Sequence, residues 1–274
     1  MSWMERLHSI ENDLPLVMGI LNVTPDSFSD GGRFQSLDTM RQQVEKMAEA
    51  GVDIIDIGGE STRPGAEAVA LEVELERVLP AIELVAGEFG LPVSIDTYKT
   101  QVMKEAVKAG AVLVNDVNAL LAEGAEQFVA ESGVSVCLMH RQGTSDRMQE
   151  APTYQDVYQE VTDYLLDRAK SCLDAGIRKQ NILLDPGFGF GKTLQHNVEL
   201  FEQLDQMTLL GYPVLVGVSR KRMIGEILGG LPVDQRQIGS VSAAILAALK
   251  GARVIRVHDV PETVQALKVM HTLL

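Results

Sequence analysis

Eight short apolar runs, spaced along the whole chain, constrain this sequence more than any other feature. Each run has four to seven residues and is rich in Val, Ile and Leu. Such runs are too short for helices and too continuously apolar for strands with one face in water, so they are typical of parallel strands covered on both faces. The runs are 15–21, 52–58, 92–96, 111–116, 134–140, 182–185, 213–219 and 253–258.

Stretches with helical periodicity lie between these runs. Strict alternation of strand and helix predicts βαβ units, and eight units in 274 residues predict a single-domain (β/α)8 TIM barrel. The domain is expected to cover 1–274, with 1–14 as a short leader to the first strand. A doubly wound open sheet stays the alternative, because periodicity does not show whether a sheet closes. The predicted helices are 36–51, 66–90, 100–109, 122–132, 153–175, 195–210 and 238–250.

Charge and composition argue against several classes of protein. The chain has 24 Lys and Arg against 38 Asp and Glu, a net charge of -14, which opposes binding to nucleic acid or an anionic membrane. Its longest apolar run has about seven residues, whereas a bilayer span needs ~20. The first thirteen residues are charged and lack the apolar core of a secretory signal, so we predict a cytoplasmic protein. Cys137 and Cys172 have no metal-binding or redox spacing and are interpreted as reduced packing residues.

Polar side chains follow nearly every apolar run. In a (β/α)8 barrel the catalytic groups lie at the carboxyl ends of the strands, so these residues are candidates for a site. Any one of them could simply cap a helix or form a turn. Because the set contains both charges, we predict a ligand with hydrogen-bonding edges and an anionic part. The set is Asn22, Asp96, Asn115, Asp116, His140, Asp185, Ser219, Arg220, Lys221, Arg256 and His258.

The segment PGFGFGKT, residues 186–193, resembles a phosphate-binding loop, except that Pro186 takes the place of the first glycine. We interpret it as a loop that approaches a flat ligand closely, with Phe188 and Phe190 offering aromatic faces. A glycine-rich turn without a ligand is the alternative.

Metal-binding motifs are absent from the sequence. The five histidines form no H-E-x-x-H grouping, which argues against a dedicated zinc site. A magnesium ion that shares its ligands with a phosphate stays open, because such ions need only one or two protein oxygens. Asp56, in the middle of the second run, is either structural or part of the polar end of the barrel.

Eight sequence blocks, in this order along the chain, resemble the signature blocks of the bacterial dihydropteroate synthases. The resemblance covers about residues 15–270. It implies a (β/α)8 barrel that joins p-aminobenzoate to 6-hydroxymethyl-7,8-dihydropterin diphosphate and releases diphosphate in folate biosynthesis, in an enzyme that is a homodimer and a sulfonamide target. The blocks are MGILNVTPDSFSDGG, DIIDIGGESTRPGA, SIDTYK, NDVNAL, LMHRQG, LLDPGFGFGK, VGVSRKRMIG and VIRVHDV.

The same resemblance assigns roles to site residues. Asn22 would bind the Mg2+ that accompanies the diphosphate, and Arg256 with His258 would hold the anion. The pterin slot would be lined by Asp96, Asn115, Asp185 and Lys221. The p-aminobenzoate site would be formed by Phe28, Thr62, Arg63, Pro64, Phe190 and Ser219.

The segment 23–32 is expected to act as a lid over the site. Pro25 and two glycines punctuate it, Phe28 would supply an apolar cover, and Asp30 would place a carboxylate near the transferring carbon. We therefore predict Asp30, Asp96, Asp185 and Lys221 as the catalytic residues.

Departures from the family pattern are few. Tyr98 stands where many relatives have a small residue, and Asn118 and Arg141 occupy variable positions. These departures bear on fine substrate contacts and not on the activity.

Three other functions stay open: a class I aldolase with Lys221 as the Schiff-base lysine, a pterin-binding methyltransferase that works beside a corrinoid, and a pterin-binding protein without catalysis.

Overall fold

Eight parallel strands form the centre of the structure, a computed structural model that describes residues 3–9, 14–24, 33–61, 68–143 and 151–274. All eight predicted strands are present. They are β1 (Leu16–Asn22), β2 (Ile54–Gly58), β3 (Val93–Asp96), β4 (Leu113–Asp116), β5 (Ser135–Met139), β6 (Ile182–Asp185), β7 (Leu215–Val216) and β8 (Val254–Val257).

The order of the strands shows that the sheet closes. Hydrogen-bonded neighbours run β6-β5-β4-β3-β2-β1-β8-β7. The two ends meet at a parallel bridge between Leu184 and Val214, where the Leu184 N–H donates to the Pro213 carbonyl at 3.0 Å. This order follows the chain without the reversal that a doubly wound open sheet has. The predicted (β/α)8 barrel is therefore confirmed, and the open sheet is excluded.

Helices connect the strands and cover the outside of the barrel. No helix among the described residues is long and apolar enough to cross a membrane. The helices are α1 (Trp3–His8), α2 (Arg33–Ala50), α3 (Leu71–Glu83), α4 (Thr100–Lys108), α5 (Ala125–Ser132), α6 (Val157–Asp174), α7 (Leu194–Glu202), α8 (Leu204–Thr208), α9 (Arg222–Ile227), α10 (Gln237–Leu249) and α11 (Val260–Leu273).

Local signals set several helix boundaries. The Asp156 carboxylate accepts the Gln159 N–H at 3.0 Å and so caps the start of α6. Thr193 caps α7 in the same way, with a 3.2 Å bond from the His196 N–H. Gly133 ends α5 with φ +71°, a left-handed conformation that glycine adopts without strain. These caps explain why α6 begins four residues inside the predicted stretch 153–175 and α7 one residue before the predicted stretch 195–210.

Three helices, α1, α9 and α11, were not predicted. α1 and α9 have six residues each, fewer than two turns, so neither carries a clear helical period. α11 follows β8 directly and has a proline in its first turn, a start signal that the sequence contained. The helix predicted over 195–210 is divided between α7 and α8, and the one predicted over 66–90 ends in a π-helical turn, Leu84–Glu88.

Side chains alternate along each strand between two apolar layers. Val17, Ile55 and Val114 belong to the outer layer, which packs against the helices. Their neighbours on the strands point the other way, as period two requires, and form a second cluster inside the barrel. The inner cluster is Leu16, Met18, Ile54, Leu113, Cys137, Leu183, Leu215 and Val254.

The helix α1 closes the amino-terminal end of the barrel. Its Trp3 and Leu7 belong to the inner cluster and are 8% and 1% exposed. The Arg253 guanidinium donates to the carbonyls of Leu7 and Ser9 at 3.0 and 3.2 Å, and so binds the end of α1. The region predicted as a leader thus contains a helix that completes the floor of the barrel.

We predict that Leu7→Ala lowers the free energy of unfolding by about 2–4 kcal/mol, because it leaves a cavity under the inner cluster. Leu209→Ala is the matched control, since Leu209 is 84% exposed, and it should change that free energy by less than about 0.5 kcal/mol. Urea unfolding curves measure both values. Equal effects of the two substitutions would show that α1 contributes nothing to the floor.

Candidate active site

The polar residues of the barrel interior follow from the register of the inner cluster. Ile54, Leu113, Leu183 and Val254 point inward, and each is followed two positions later by a polar residue. Because alternate residues share a face, these polar residues point inward as well, one layer nearer the carboxyl ends of the strands. They are Asp56, Asn115, Asp185 and Arg256.

Arg256 bridges two carboxylates at the centre of this layer. Its Nε donates to Asp56 Oδ2 at 2.6 Å, and its Nη2 donates to Asp96 Oδ2 at 2.8 Å. Asn115 Nδ2 donates to the same Asp56 oxygen at 3.3 Å. Asp56 is fully buried and Asp96 is 7% exposed, so the guanidinium supplies the positive charge that their burial requires. This settles the place of Asp56: it belongs to the polar end of the barrel.

Two oxygens of this cluster are left without a partner. Among the described residues, Asp56 Oδ1 and Asp96 Oδ1 are buried and accept no hydrogen bond. Buried acceptors are nearly always satisfied in native proteins. Unsatisfied carboxylate oxygens at the ligand end of a barrel therefore indicate a ligand that brings N–H or O–H donors.

Burial also shifts the pKa values in the cluster. The pKa of Asp96 rises to about 7, mainly through burial, with Arg256 opposing the shift and Asp56 adding to it. Burial opposes the charge on Arg256, yet Asp56 and Asp96 together hold the pKa of Arg256 above its ordinary value. Strongly perturbed groups in one cleft are typical of functional sites.

A second group of polar residues lies beside the first, at the ends of β6 and β7. Lys221 Nζ donates to the Phe188 carbonyl at 2.6 Å and lies 4.5 Å from the centre of the Phe190 ring. Asp185 Oδ1 accepts the Gly187 N–H at 2.7 Å. Burial lowers the pKa of Lys221 to about 8, and the Asp185 charge opposes this. Burial likewise raises the pKa of Asp185, against the effect of Lys221.

His258 and Ser219 form the third part of the site, at the ends of β8 and β7. Ser219 Oγ and His258 Nδ1 are 3.0 Å apart, and the His258 N–H donates to Ser219 Oγ at 3.1 Å. Asn22 lies at the end of β1. A Cβ built on Gly58 would be 3.9 Å from Asn22 Oδ1 and 3.6 Å from Asp96 Cβ, so Asn22 and Asp96 border the same small gap.

Nine of the described residues predicted for the site lie at or just after the carboxyl ends of the strands. These are Asn22, Asp96, Asn115, Asp185, Phe190, Ser219, Lys221, Arg256 and His258. Three further polar residues of the predicted set have other partners: Asp116 accepts the Asn118 and Leu120 N–H groups, Arg220 binds Asp259, and His140 contacts Lys192. The other predicted residues lie outside the described part of the chain: Phe28, Asp30, Thr62, Arg63 and Pro64.

One aromatic residue does not reach the site. Phe188 was expected to offer its ring to a ligand beside Phe190, but it is fully buried in the outer layer and its ring lies 5.6 Å from that of Phe201. The two rings lie in different surroundings because Gly189, with φ +79°, turns the backbone between them. Of these two residues, Lys221 contacts the Phe190 ring and the Phe188 carbonyl.

A separate ion network joins β2 to β3. Lys99 Nζ donates to Glu60 and Glu74, both at 2.5 Å, and to the Val69 carbonyl at 2.7 Å. Glu60 precedes the segment 62–67 and Val69 follows it, so Lys99 links the residues on the two sides of that segment. Tyr98, the departure from the family pattern, joins this network because its hydroxyl donates to Glu60 at 2.7 Å.

The described residues contain no group of three or more His, Cys, Asp or Glu side chains arranged to hold a metal ion. A metal in this site would therefore rely on few protein ligands. The Asn22 side-chain carbonyl is an oxygen donor at the open end of the barrel, which is the kind of single ligand that Mg2+ combines with water and phosphate oxygens.

Comparisons with known proteins identify the family of this chain. Residues 18–258 match the family described as pterin binding enzyme. The chain is 50% identical to the dihydropteroate synthase of Escherichia coli K12 over 266 residues, which covers 97% of this chain and 94% of the relative.

Solved structures give the same result. The dihydropteroate synthase of Xanthomonas albilineans with 4-aminobenzoic acid superimposes with a TM-score of 0.90 at 50% identity, over 95% of this chain and 93% of that one. The structure of that enzyme in complex with 7,8-dihydropteroate has a TM-score of 0.87 at 48% identity, over 95% and 94% of the two chains.

We predict that Lys99→Met lowers the free energy of unfolding by about 3–5 kcal/mol, because Glu74, 1% exposed, loses its cation while staying buried. Adding Glu74→Gln removes the unpaired charge and keeps an acceptor for Thr97, so the double variant should regain part of this loss. Urea unfolding measures both, with Lys108→Met, at an exposed surface pair, as the control. A double variant no more stable than Lys99→Met would contradict the network.

Proposed function

The chain belongs to the dihydropteroate synthases, within the pterin-binding enzymes. On that premise we propose a role for each of the described site residues in the reaction. The enzyme condenses 6-hydroxymethyl-7,8-dihydropterin diphosphate with p-aminobenzoate and releases diphosphate, a transferase reaction. The observation that carries the assignment of the pterin slot is the pair of buried, unpartnered oxygens on Asp56 and Asp96, since a pterin ring presents N–H donors along its edge.

The pterin slot is formed by Asp96, Asn115, Asp185 and Lys221. The carboxylates accept from the ring N–H groups, and ionised acceptors make the stronger hydrogen bonds. Asn115 carries a donor and an acceptor on one amide, which suits a heterocycle edge with both. Asp56 holds Arg256 and Asn115 in place from below, which fixes their orientation before substrate arrives.

The leaving diphosphate is held at the open end by Arg256, His258 and Asn22. Arg256 binds two carboxylates through Nε and Nη2, which fixes its position, and Nη1 is the nitrogen that would bind the anion. His258 is oriented by Ser219. The Asn22 carbonyl would be the protein ligand of a Mg2+ ion, which when bound would neutralise charge on the diphosphate oxygens.

The chemical step asks little of a general base. An aromatic amine is neutral at physiological pH, so its lone pair is available, and the demand falls on departure of the diphosphate. If the carbon–oxygen bond breaks early, positive charge develops on the pterin. Asp96 and Asp185, buried beside the ring, then stabilise that charge.

The p-aminobenzoate site combines described and undescribed residues. Ser219 and Phe190 lie at the open end near Lys221. Phe28, Thr62, Arg63, Pro64 and the proposed lid carboxylate Asp30 complete it in our proposal. An ordinary sequence in the block 58–66 leads us to expect inhibition by sulfonamides, which would occupy the same site.

Assembly and location follow from the family resemblance. We propose a homodimer and a cytoplasmic location, with the whole chain as one domain. The helix α10 carries exposed apolar side chains, including Ile238 at 81% and Leu249 at 54% exposure, and supplies a candidate contact face. Chain length, composition and a net charge of -14 agree with small-molecule substrates and no nucleic acid.

An assay of diphosphate release tests the function. Wild-type protein should release diphosphate from the pterin substrate only when p-aminobenzoate is present, and Asp185→Asn should raise the Kd for the pterin substrate at least about tenfold, because a charged acceptor becomes neutral. Release without p-aminobenzoate, or no release at all, would contradict the synthase. An unchanged Kd in Asp185→Asn would remove Asp185 from the slot. Borohydride trapping with carbonyl substrates tests the aldolase alternative, because only an aldolase would form a Schiff base on Lys221 that borohydride reduces.

Substitution of Asn22 tests the metal site. Asn22→Ala should raise the Mg2+ concentration needed for half-maximal release roughly tenfold or more, the size of loss typical of residues around a metal. Asn22→Asp keeps an oxygen ligand and should retain a Mg2+ requirement close to that of the wild type. The same requirement in Asn22→Ala as in the wild type would show that Asn22 does not bind the metal.

A further inference from the structure

A lysine that the proposed mechanism does not use is buried behind the pterin slot. Lys192, 3% exposed, lies at the end of the loop 186–193. Its Nζ contacts His140 Nδ1 at 3.0 Å, the Gly187 carbonyl at 3.0 Å and the Phe190 carbonyl at 3.3 Å. An ammonium group has three N–H donors, so these three acceptors satisfy it completely. We call these four residues the Lys192 cluster.

All three acceptors of Lys192 are neutral. Burial, reinforced by the nearby Lys192 charge, lowers the pKa of His140 to about 3, so its imidazole is neutral and its Nδ1 accepts. Burial also lowers the pKa of Lys192 to about 7, with the Asp185 charge opposing and Lys221 adding to the shift. An amine buried against neutral acceptors, with no carboxylate bound to it, stabilises a fold poorly compared with an apolar side chain of the same length, because its charged form loses its hydration. Its presence therefore points to a role other than stability.

The Lys192 cluster holds the loop on the segment that follows β5. Gly187 has φ +67°, and a Cβ on it would be 1.8 Å from the His140 carbonyl oxygen. Gly191 has φ +62°, and a Cβ on it would be 2.3 Å from the Gln142 carbonyl oxygen. Backbone lies directly on backbone at both points. The position of the loop is thus set by the segment 140–142, with Lys192 between the two.

The other side of the same loop determines where Lys221 lies. Phe188, between the two carbonyls bound by Lys192, supplies the carbonyl that accepts from Lys221 Nζ at 2.6 Å. Phe190, whose carbonyl Lys192 binds, places its ring 4.5 Å from the same Nζ. A shift of these two residues would move the lysine ammonium with them. Between the two lysine side chains, the path through Phe188 consists of two peptide units, and the path through Phe190 runs by way of its ring.

We propose that Lys192, supported by His140, is a positioning residue: it holds the loop 186–193 so that Phe188 and Phe190 fix the Lys221 ammonium in the pterin slot. The inference rests on the proposed role of Lys221 in binding the pterin. Lys192 itself does not contact the substrate.

Lys192→Met tests the proposal, because methionine retains much of the length of the lysine side chain and removes all three donors. Its kcat/KM for the pterin diphosphate should fall about 10- to 100-fold, the size of effect expected when a supporting residue lets a reacting group move by about 1 Å. Calorimetric Kd for the same substrate should rise at least about tenfold. Lys170→Met, at an exposed position of α6, is the control and should leave both values unchanged. A lower melting temperature with unchanged Kd would overturn the proposal.

Two substitutions of His140, matched to each other in size and shape, test the path from Lys192 to Lys221 while Lys192 is kept. Asparagine offers an oxygen near the position of Nδ1, whereas leucine offers no acceptor. His140→Asn should therefore retain the Kd of the wild type within about threefold, and His140→Leu should raise it about tenfold. Equal Kd values for the two variants would contradict an acceptor role for His140.

Combination with Lys221→Met distinguishes this inference from the proposed function. If Lys192 acts through Lys221, adding Lys192→Met to Lys221→Met should raise the Kd no further, since residues on one path are not additive. Full additivity would show that Lys192 acts elsewhere. If Lys221→Met by itself leaves the Kd unchanged, the assignment of Lys221 to the pterin slot fails. If the Kd changes in Lys221→Met and not in Lys192→Met, the positioning role of Lys192 is refuted and the role of Lys221 stands.

Discussion

Closure of eight parallel strands leaves an interior in which every second residue must either pack against its neighbours or find a polar partner. At the amino-terminal end, apolar side chains pack against one another and fill the barrel, and Trp3 and Leu7 from α1 complete the floor. One layer further along the strands, polar residues bind one another instead, and Arg256 lies between Asp56 and Asp96. The boundary between the apolar layer and the layer of paired charges defines the end of the barrel at which a ligand can enter.

Buried charge organises the polar end. Two carboxylates with low exposure stay in place because Arg256 binds both, and one oxygen of each accepts no hydrogen bond from the described residues. The second cationic group, Lys221, is held by a backbone carbonyl and an aromatic ring. The two carboxylates, Arg256 and Lys221 therefore lie close together, and their charges do not cancel completely. Such a site is poorly stable when empty and gains when a ligand supplies the missing donors.

The sequence predicted the barrel correctly, and it predicted polar residues at the strand ends where the structure has them, for identifiable reasons. Continuous apolar runs alternating with helices indicate parallel strands, and polar residues at the run ends indicate a site. Short α1 and α9 carried too little periodicity to be predicted. Asp56 could have been placed, since it lies in phase with the inward residue Ile54. Phe188 was wrongly assigned because Gly187 and Gly189 turn the loop backbone at positive φ, which places the Phe188 ring in the outer layer and the Phe190 ring beside Lys221.

Sequence alone determined the class of fold, the order of its strands and helices, and the chemical character of the residues at the strand ends, because these depend on local pattern and on motifs contiguous in the chain. Only the tertiary structure decided whether the sheet closed, which required Leu184 to meet Val214. It also decided which charges pair: Asp56 and Arg256 are 200 residues apart in sequence. Lys192 and His140 are 52 residues apart and meet because β5 and β6 pair side by side. Which strands become neighbours is a property of the whole sheet, and no local pattern encodes it.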